Sequence, residues 1–503
     1  MSRLKLNIIA NFAGLGWSAL MQFAFVPLYI KFLGVEAYGL IGFYAMLQVS
    51  FQALDFGLSH TMNREMARYS ALPDKSGEAR DLVRTLEIGY WTIGIVIGTA
   101  VIVAAPFIAM YWIKASIIPV LVIQNAVMIM GVVAFLQWPL SFYQGGLIGL
   151  QRQVLLNGIR IAVVTLSNGG AALVLWLVSP TITAFFAWQI IISTLHVILI
   201  TSLLWRSLPP SDRAPRFAPY LINNIWRFAA GVGGIVISSL ILTQLDKVIL
   251  SKLLNLTMFG YYSLASLVGG GLYVFITPIF NALFPRFSAM VAVNDQQALK
   301  RLYHQGSQLM ASLILPVSLV LSFFSFDILL LWTGSIETAQ NTAPIARILV
   351  IGTALNGLLN VPHALQLAHG WTSFALYKGI IAVIALVPAI MYMTARYGAV
   401  GAATVWVAVN GISFLISVPL THHRLLKGEM WRWLGQDVGL PLAATLLSVG
   451  IGRWLIASPL PRMQSFACLS VVLLCSFAAS ALAASYLRSW LLVEFSKKRA
   501  AYA

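Results

Sequence analysis

The sequence predicts an all-α polytopic membrane protein with 14 transmembrane helices, arranged as two six-helix lobes in a parallel internal repeat plus two C-terminal helices. Three observations support this: the composition, the recurrence of apolar segments, and the alternation of basic loops. Of the 503 residues, 59% are hydrophobic and only 9% are charged, whereas a soluble domain carries about 25% charged residues. So few charges cannot cover a soluble surface, which excludes a soluble enzyme, a disordered protein and a DNA-binding domain.

Apolar segments of about 20 residues, each long enough to cross the hydrocarbon core of a bilayer, recur along the whole chain. The first is too long and too polar at its start to be a cleaved signal peptide. The predicted spans are 7–30, 38–59, 86–112, 118–142, 154–178, 181–205, 226–250, 259–285, 305–331, 345–367, 372–394, 398–421, 437–457 and 466–487.

The net charge of +17 follows the orientation in the membrane. With the N-terminus in the cytoplasm, 23 of the 32 basic residues fall in cytoplasmic loops and five on the other side. Basic residues concentrate on the cytoplasmic side of membrane proteins, so this split predicts that both termini are cytoplasmic. The excess of basic residues therefore needs no nucleic-acid partner.

The loops are too short for a catalytic domain. The longest predicted loop has about 27 residues. No GxxxxGK phosphate-binding motif and no DxD metal–sugar motif occurs in the loops, and no His or Cys cluster has metal-ligand spacing. We therefore expect no enzymatic activity, no resident cofactor and no metal site.

An internal repeat relates the two halves of the chain. Lys31–Gly39 aligns without gaps on Lys252–Gly260, an offset of 221 residues. At similar offsets, Ser18 matches Ser239, Gln22 matches Thr243, Trp112 matches Trp332, Arg160 matches Lys378 and Trp188 matches Trp406. Each half contains an even number of spans, so the repeat is parallel, an arrangement typical of two-lobed transporters.

The repeat divides the chain into four predicted regions. They are an N-lobe at 1–205, a cytoplasmic inter-lobe linker at 206–225, a C-lobe at 226–421, and two appended helices with a basic cytoplasmic tail at 422–503.

Polar side chains form stripes at helical spacing within four of the spans. They are Asn7, Asn11, Ser18 and Gln22 in span 1; Gln48, Gln52, Asp55 and Ser59 in span 2; Ser239, Thr243 and Asp246 in span 7; and Thr353, Asn356, Asn360 and His363 in span 10. Because polar groups are costly in lipid, such stripes face either a neighbouring helix or a water-filled cavity. Both alternatives stay open for the amides.

Four charged residues, Asp55, Asp246, Lys247 and Arg160, fall within predicted spans. Ionisable groups inside a membrane indicate a functional site, although an internal ion pair is the alternative. Asp246 and Lys247 are adjacent and point about 100° apart on a helix, so we expect them to have different partners. For Arg160 and its repeat equivalent Lys378, the alternative is a side chain that extends to the interface.

Two histidines, His196 and His363, also fall within predicted spans. His titrates near neutral pH and can relay protons. A hydrogen-bonded residue of the helix packing is the alternative for each of them.

Ordered short motifs carry a resemblance to a known family. They are Asn11–Gly14, Pro27–Leu40, Leu54–Leu58, Gly149–Arg152 with Asn157, Gln244–Lys252 and Gly260–Ala265. Together they resemble the bacterial O-antigen-type (Wzx-like) oligosaccharide-lipid flippases. These are polysaccharide biosynthesis proteins of the multidrug/oligosaccharidyl-lipid/polysaccharide (MOP) exporter superfamily. The resemblance extends over residues 7–420.

The resemblance implies a MATE-like fold and alternating access driven by an H⁺ or Na⁺ gradient in the bacterial inner membrane. The implied cargo is an undecaprenyl-pyrophosphate-linked oligosaccharide, such as a repeat unit of the O-antigen of lipopolysaccharide, of capsule or of exopolysaccharide. The cargo would move from the cytoplasmic to the periplasmic leaflet. The implied partners are the bilayer, this lipid, and the glycosyltransferases and polymerase of the same pathway.

Site residues follow from combining the resemblance with the charged and polar positions. A pyrophosphate would bind a cationic groove, predicted from Lys247, Arg160 and Lys378, with Arg64 and Arg286 at its cytoplasmic mouth. The predicted sugar-facing residues are Gln22, Gln48, Gln52, Asn356 and Asn360. The predicted ion-coupling carboxylates are Asp55 and Asp246.

Three alternative functions remain open. A drug/cation antiporter of the same superfamily would favour acidic groups in the N-lobe, whereas basic groups predominate here. A peptidoglycan-precursor (lipid II) flippase shares the span count and a basic groove. A membrane polysaccharide polymerase or ligase would require a large periplasmic loop with catalytic Arg or His.

Overall fold

The fold is a set of long membrane-spanning helices. The computed structural model describes residues 3–53, 55, 57–70, 72, 75–222, 243–456 and 461–489. Within these ranges the chain forms no β-strand, and one isolated bridge joins Lys114 to Asn255. Eleven of the described helical segments are long and apolar enough to cross a membrane. The predicted all-α polytopic membrane fold is confirmed.

The chain divides into two compact units, Met1–Gly260 and Tyr261–Ala503. The helices of the first unit are α1 (Arg3–Ala53), α2 (Leu58–Ser70), α3 (Ser76–Phe107) with a π-helical extension (Ile108–Trp112), α4 (Val120–Gln137), α5 (Leu140–Gly149), α6 (Gln153–Leu177), α7 (Ile182–Ser207) and α8 (described over 243–253). Helix α9 (Leu256–Gly270) begins in this unit and continues into the second.

The second unit holds the remaining helices. They are α10 (Tyr273–Ala292), α11 (Gln296–Phe323), α12 (Ser325–Thr333), α13 (Ile336–Ala368), α14 (Thr372–Leu425), α15 (Met430–Arg432) with a π-helical continuation (Trp433–Gly439), α16 (Leu440–Leu455) and α17 (Arg462–Ala483).

The described membrane-spanning segments are consistent with the 14 predicted spans. Helix α1 contains predicted spans 1 and 2, joined at Gly34, where φ is +79°. Helix α14 contains predicted spans 11 and 12, joined at Gly398, where φ is +59°. A glycine adopts positive φ without steric cost, so the chain changes direction at one residue instead of in a loop. The eleven segments therefore hold 13 predicted spans, and the remaining one, 226–250, lies largely outside the described residues.

The prediction that span 2 ends at residue 59 and is followed by a loop is wrong. Helix α1 ends at Ala53, and α2 occupies part of the predicted loop. Helix α2 is amphipathic, because Met62 and Met66 are buried while Arg64 and Arg68 are exposed. An apolar stripe of this kind is enough to hold a short helix against its neighbours.

The predicted linker folds back onto the start of α3. Arg213 forms an ion pair with the buried Asp81 at 2.5 Å, and the backbone N–H of Arg216 donates to Asp81 Oδ1 at 2.8 Å. The N–H of Ala218 donates to Thr85 Oγ1 at 2.8 Å. These bonds place the described part of the linker within the first unit.

The boundary between the compact units falls after Gly260, not in the predicted linker. Besides the linker, helix α8 also joins the first unit, because Trp112 Nε1 donates to Ser251 Oγ at 2.9 Å. The lobe boundaries predicted from the repeat stay a prediction, and linker residues 223–225 lie outside the described residues.

Two glycines that are equivalent in the internal repeat lie in one close helix contact. A Cβ added to Gly39 would collide with the carbonyl oxygen of Leu256. A Cβ added to Gly260 would lie 2.5 Å from the carbonyl oxygen of Val35 and 3.3 Å from the backbone N of Gly39. Small residues let helix backbones approach closely in membranes, so both glycines are required by this contact.

We expect Gly39→Ala to destabilise the protein by about 1–3 kcal/mol, the usual cost of overpacking. The carbonyl of Leu256 belongs to the backbone and cannot move aside as a side chain can. The measurement is the thermal unfolding midpoint in detergent. Gly89→Ala is the matched control, because a Cβ there has no neighbour within 4 Å; equal midpoints for both variants would contradict the contact.

Candidate functional site

Asp55 is a buried carboxylate in the turn between α1 and α2. Its Oδ2 accepts from the backbone N–H of Ser59 at 3.0 Å and from the Ser59 hydroxyl at 2.7 Å. Its Oδ1 accepts from Ser141 Oγ at 3.4 Å and from the Tyr90 hydroxyl. The carboxylate thus joins α2, α3 and α5. An ion or proton that binds here must share or displace these bonds.

The position of Asp55 corrects one prediction. It is buried as expected, but it lies in a turn rather than inside a transmembrane helix. Gly57, with φ of +75°, turns the chain directly after it. A sequence stretch that is apolar on both sides of such a turn does not reveal the break.

Gln48 belongs to a hydrogen-bonded network that joins three helices of the first unit. Its Nε2 donates to the Tyr44 hydroxyl at 2.6 Å and to Gln137 Oε1 on α4. Gln137 Nε2 in turn donates to Ser193 Oγ on α7 at 2.8 Å. This geometry satisfies the amides between packed helices, the arrangement typical of helix contacts in membranes.

The polar stripe of the first span contacts α6. Asn11 donates to Gln153 Oε1 at 2.8 Å and accepts from Asn157 Nδ2 at 2.6 Å. Asn7 donates to Gln151 Oε1 at 3.3 Å. Further along, Gln22 is exposed. Asn7 and Asn11 therefore hydrogen-bond other parts of the first unit, whereas Gln22 is exposed.

Arg160 is half-buried on α6. Its charge acts on His196 of α7. Arg160 forms no ion pair with any carboxylate that the structure describes, so an anion near it would be stabilised.

Asp246 and Lys247 pair with each other, contrary to the prediction of different partners. Lys247 Nζ lies 3.6 Å from Asp246 Oδ1 and donates to the carbonyl oxygen of Thr243 at 3.1 Å. Both side chains are about one-quarter exposed, 26% for Lys247 and 23% for Asp246. Helix geometry directs only the Cα–Cβ bonds apart, and the flexible lysine side chain folds back across the helix.

Asn356 and Asn360 belong to an amide cluster of the second unit. Asn356 Nδ2 donates to Asn410 Oδ1 on α14 at 2.9 Å, and the Tyr273 hydroxyl on α10 donates to Asn356 Oδ1 at 3.0 Å. Asn360 Nδ2 donates to the carbonyl oxygen of Asn356 at 2.9 Å. The cluster joins three helices and presents amide groups of the kind that bind hydroxyls.

Lys378 is half-buried on α14. Its Nζ donates to Ser417 Oγ at 3.3 Å and lies 5.8 Å from the centre of the Phe374 ring. Its charge also acts on His363 of α13. The charges of Lys378 and of its repeat equivalent Arg160 therefore each act on a histidine of their own unit.

The remaining predicted residues are exposed. They are Gln52 at the end of α1, Arg64 on α2 and Arg286 on α10. Arg64 Nε lies 3.9 Å from Glu65 Oε1. The groove-lining and sugar-facing roles of all these residues stay predictions.

Comparison with known proteins identifies the family. The family model described as polysaccharide biosynthesis protein matches residues 4–291, more than half of the chain. The chain belongs to the polysaccharide biosynthesis protein family. The resemblance to polysaccharide biosynthesis proteins that the motifs indicated is thereby confirmed.

One curated relative from Shigella flexneri, a putative O-antigen transporter, is 27% identical over 171 residues. The match spans 34% of this chain and 40% of the relative's length.

Two solved structures show the same fold. Lipid II flippase MurJ, in an inward closed conformation, has a TM-score of 0.71 at 15% identity, covering 97% of this chain and 99% of that one. A multidrug resistance MATE transporter of the MOP superfamily, inward-facing, has a TM-score of 0.63 at 16% identity, covering 83% and 95%.

Some charged residues of this family member were missed by the sequence reasoning. Glu87 is buried on α3 and accepts from the Tyr143 hydroxyl at 2.7 Å, Trp205 Nε1 at 3.1 Å and Arg84 at 3.0 Å. It lies at the start of a predicted span, where a carboxylate is easily taken for an interfacial residue. The chain has only 15 acidic residues, and this rarity is the sequence feature that could have marked Glu87 as a candidate.

Glu36, in the opening motif shared with the family, is also buried. Its carboxylate accepts from the backbone N–H groups of Ser116 at 2.7 Å and Ile117 at 3.0 Å. In this chain the carboxylate therefore satisfies backbone donors of the loop that have no helical partner.

A second missed group lies in the second unit, around His304 of α11. The two ring nitrogens of His304 face different carboxylates, Nδ1 toward Asp437 and Nε2 toward Glu429 Oε2 at 3.2 Å. Gln308 Nε2 donates to Asp437 Oδ1 at 2.8 Å. Asp437 is completely buried, so this His304 cluster fastens α11 to the segment that leads into α16. Among the described residues, no group of three or more His, Cys, Asp or Glu could hold a metal ion.

We expect Asp437→Asn to destabilise the protein by about 1–3 kcal/mol, because Asp437 bonds both His304 and Gln308, and an amide in its place leaves one buried polar group without its partner. The measurement is the thermal unfolding midpoint in detergent. Asp327→Asn is the control, since the Asp327–Arg453 pair is exposed and exposed pairs contribute less than about 1 kcal/mol. Equal effects of the two substitutions would contradict the structural role of Asp437.

Glu429 makes the stability of this contact depend on pH. Burial by itself raises the pKa of Glu429, but the ammonium of Lys300 at 3.0 Å and the ring of His304 outweigh it, so the pKa lies below its ordinary value of 4.5. A lowered pKa in the folded state stabilises the fold above the unfolded value, and this contribution is lost as the pH falls through the folded one.

We expect the difference in unfolding midpoint between the wild type and Glu429→Gln to be largest at neutral pH. It should shrink as the pH falls below about 4.5, the value in the unfolded chain. Glu78→Gln, which removes an exposed pair with Lys75, should show no such trend. A difference that stays constant from pH 7 to pH 3.5 would refute the linkage.

Proposed function

We propose that this protein is a flippase for an undecaprenyl-pyrophosphate-linked oligosaccharide. The lipid would pass from the cytoplasmic to the periplasmic leaflet by ion-coupled alternating access. The single observation that carries the proposal is membership of the polysaccharide biosynthesis protein family in a chain with the MurJ and MATE fold. The Shigella flexneri relative bears the name of an O-antigen transporter, which supports a lipid-linked sugar as cargo.

The cationic residues of both units support an anionic cargo. Arg160 and Lys378 are half-buried, and neither forms an ion pair with a carboxylate that the structure describes. A pyrophosphate that contacts them gains charge-assisted hydrogen bonds, which are about twice as strong as neutral ones. The pairing of the two positions in the internal repeat gives each unit one such cation.

The amide residues support the sugar part of the cargo. Gln22 is exposed on α1, and Asn356 and Asn360 lie in a cluster that mixes donors and acceptors. Sugar hydroxyls both donate and accept hydrogen bonds, as amides do. Such an amide can hydrogen-bond a residue of a neighbouring helix when no sugar is bound, and a sugar hydroxyl when it is. Because one hydrogen bond replaces the other, the exchange costs little free energy.

The ion pair of Asp246 and Lys247 supports coupling. A proton or sodium ion that binds Asp246 weakens its attraction to Lys247 and releases that ammonium for the pyrophosphate. Both side chains are about one-quarter exposed. Asp55 accepts hydrogen bonds from three helices. As a coupling group it would bind the ion or proton, and its hydrogen bonds to these helices would change when the helices move.

A lipid II flippase is the second candidate. The match to MurJ supports it, because it covers 97% of this chain with a TM-score of 0.71, against 83% and 0.63 for the MATE transporter. Both candidates carry a polyprenyl pyrophosphate and differ in the sugar, so one assay with two lipids separates them.

We expect liposomes that contain the protein to move a labelled undecaprenyl-pyrophosphate oligosaccharide between leaflets faster than empty liposomes. A proton or sodium gradient should increase the rate. Transport of lipid II at a higher rate would favour the second candidate. No movement above that in empty liposomes would refute the flippase function.

In the same assay we expect Asp246→Asn and Lys247→Ala each to lower the rate by at least about tenfold, the effect of about 1.4 kcal/mol on a barrier. Arg453→Ala is the matched control, because it removes an ion pair of comparable length, 2.9 Å, on the exposed surface of the second unit. Wild-type rates in both variants would show that the Asp246–Lys247 pair has no role in transport. The flippase proposal itself would not be affected.

A further inference from the structure

A polar cleft of about 510 Å³ lies in the second unit, where α11 begins and α17 has ended. Its size falls in the range of about 300–1,000 Å³ usual for ligand sites. Three cations line it, Lys300, Arg301 and Arg432, together with hydrogen-bonding groups from Gln305 and Ser485. None of these residues belongs to the groove predicted for the flippase cargo.

Positive charge exceeds negative charge in this cleft. Glu429 is its one carboxylate at the surface, and it already contacts Lys300 at 3.0 Å, His304 at 3.2 Å and Arg432 at 3.8 Å. Behind it, the buried Asp437 faces His304. The cleft is therefore lined by three cations and by one carboxylate at its surface.

Arg301 is the cation that this network does not use. It is exposed, lines the cleft, and forms no ion pair with any residue that the structure describes. A guanidinium in this position is free to form two parallel hydrogen bonds to a phosphate group.

The surroundings of the cleft are those of a membrane interface. Trp431, next to Arg432, is 76% exposed, and tryptophan is enriched at the level of the lipid headgroups. Leu309 on α11 and Leu482 on α17 are 38% and 55% exposed, so both helices present apolar side chains to the exterior. The sequence predicts that these helix ends are cytoplasmic, the side on which basic pockets between helices bind anionic headgroups.

We propose that this cleft binds the phosphate-bearing headgroup of an anionic phospholipid. Arg301 and Arg432 contact the phosphate, Gln305 and Ser485 contact the rest of the headgroup, and the acyl chains lie along the exposed faces of α11 and α17. Glu429 keeps Lys300 and Arg432 oriented toward the cleft. The bound lipid joins α11 to the two C-terminal helices, which the His304 cluster also connects.

The test measures lipid-dependent stability of the full chain in detergent. Phosphatidylglycerol, phosphatidylcholine and inorganic phosphate are titrated separately, and the thermal unfolding midpoint is recorded. The variants are Arg301→Gln, Arg432→Gln and the double substitution. Lys427→Gln is the matched control, because Lys427 is an exposed cation on the adjacent loop that does not line the cleft.

We expect phosphatidylglycerol to raise the wild-type midpoint and phosphatidylcholine to leave it unchanged. Each removed charge should weaken the apparent affinity for phosphatidylglycerol about fivefold, and the double substitution about 25-fold. Midpoints in phosphatidylcholine should match the wild type, which shows that the variants fold.

Four results would overturn the proposal. One is an equal response of the midpoint to both lipids. The second is an unchanged affinity for phosphatidylglycerol in the double variant, and the third is an equal loss of affinity in Lys427→Gln. The fourth is an equal midpoint shift by inorganic phosphate that the same substitutions abolish, since the ligand would then be a soluble phosphate. A flippase assay is not involved, so this test is independent of the proposed function.

Discussion

In the hydrocarbon core of a bilayer, every backbone N–H and C=O group must be paired within the protein. This constraint accounts for the long helices and for the way the chain turns between them. At Gly34 and Gly398 the direction changes at a single residue with positive φ, so few backbone groups are left without helical partners. The same constraint places Glu36 beside the free N–H groups of a loop.

Buried carboxylates in this protein are surrounded by donors, because an uncompensated charge in an apolar medium costs several kcal/mol. Six acidic side chains are buried in the described part of the chain: Glu36, Asp55, Glu65, Asp81, Glu87 and Asp437. Each contacts at least one donor or cation. Asp55, Glu87 and Asp437 join different helices, Glu36 and Asp81 join a helix to a loop or the linker, and Glu65 pairs within its own helix. The carboxylates therefore act as connectors between helices whose apolar faces alone would specify the packing poorly. A transporter that changes conformation must rearrange or preserve each of these connections.

Much of the candidate site could be located from the sequence, but its contacts could not. Helical spacing correctly placed Asn7 and Asn11 on one face, and only the packing of α1 against α6 showed that this face meets a helix. The adjacent Asp246 and Lys247 were predicted to diverge, yet a flexible lysine side chain brings them together. The His304 cluster brings together residues more than 120 positions apart, a proximity that no local pattern encodes.

By itself, the sequence determined the membrane class, the apolar spans, the internal repeat and the family resemblance. These properties depend on composition and on patterns within single helices. Such patterns can be recognised in a sequence because bilayer thickness fixes the length of an apolar span and helix geometry fixes the spacing of residues on one face. Only the tertiary structure decided which buried charges are paired, that the chain breaks before Asp55, and that the linker folds onto Asp81. Those features depend on which helix faces meet, and the energy of a buried charge depends on partners that arrive from distant parts of the chain.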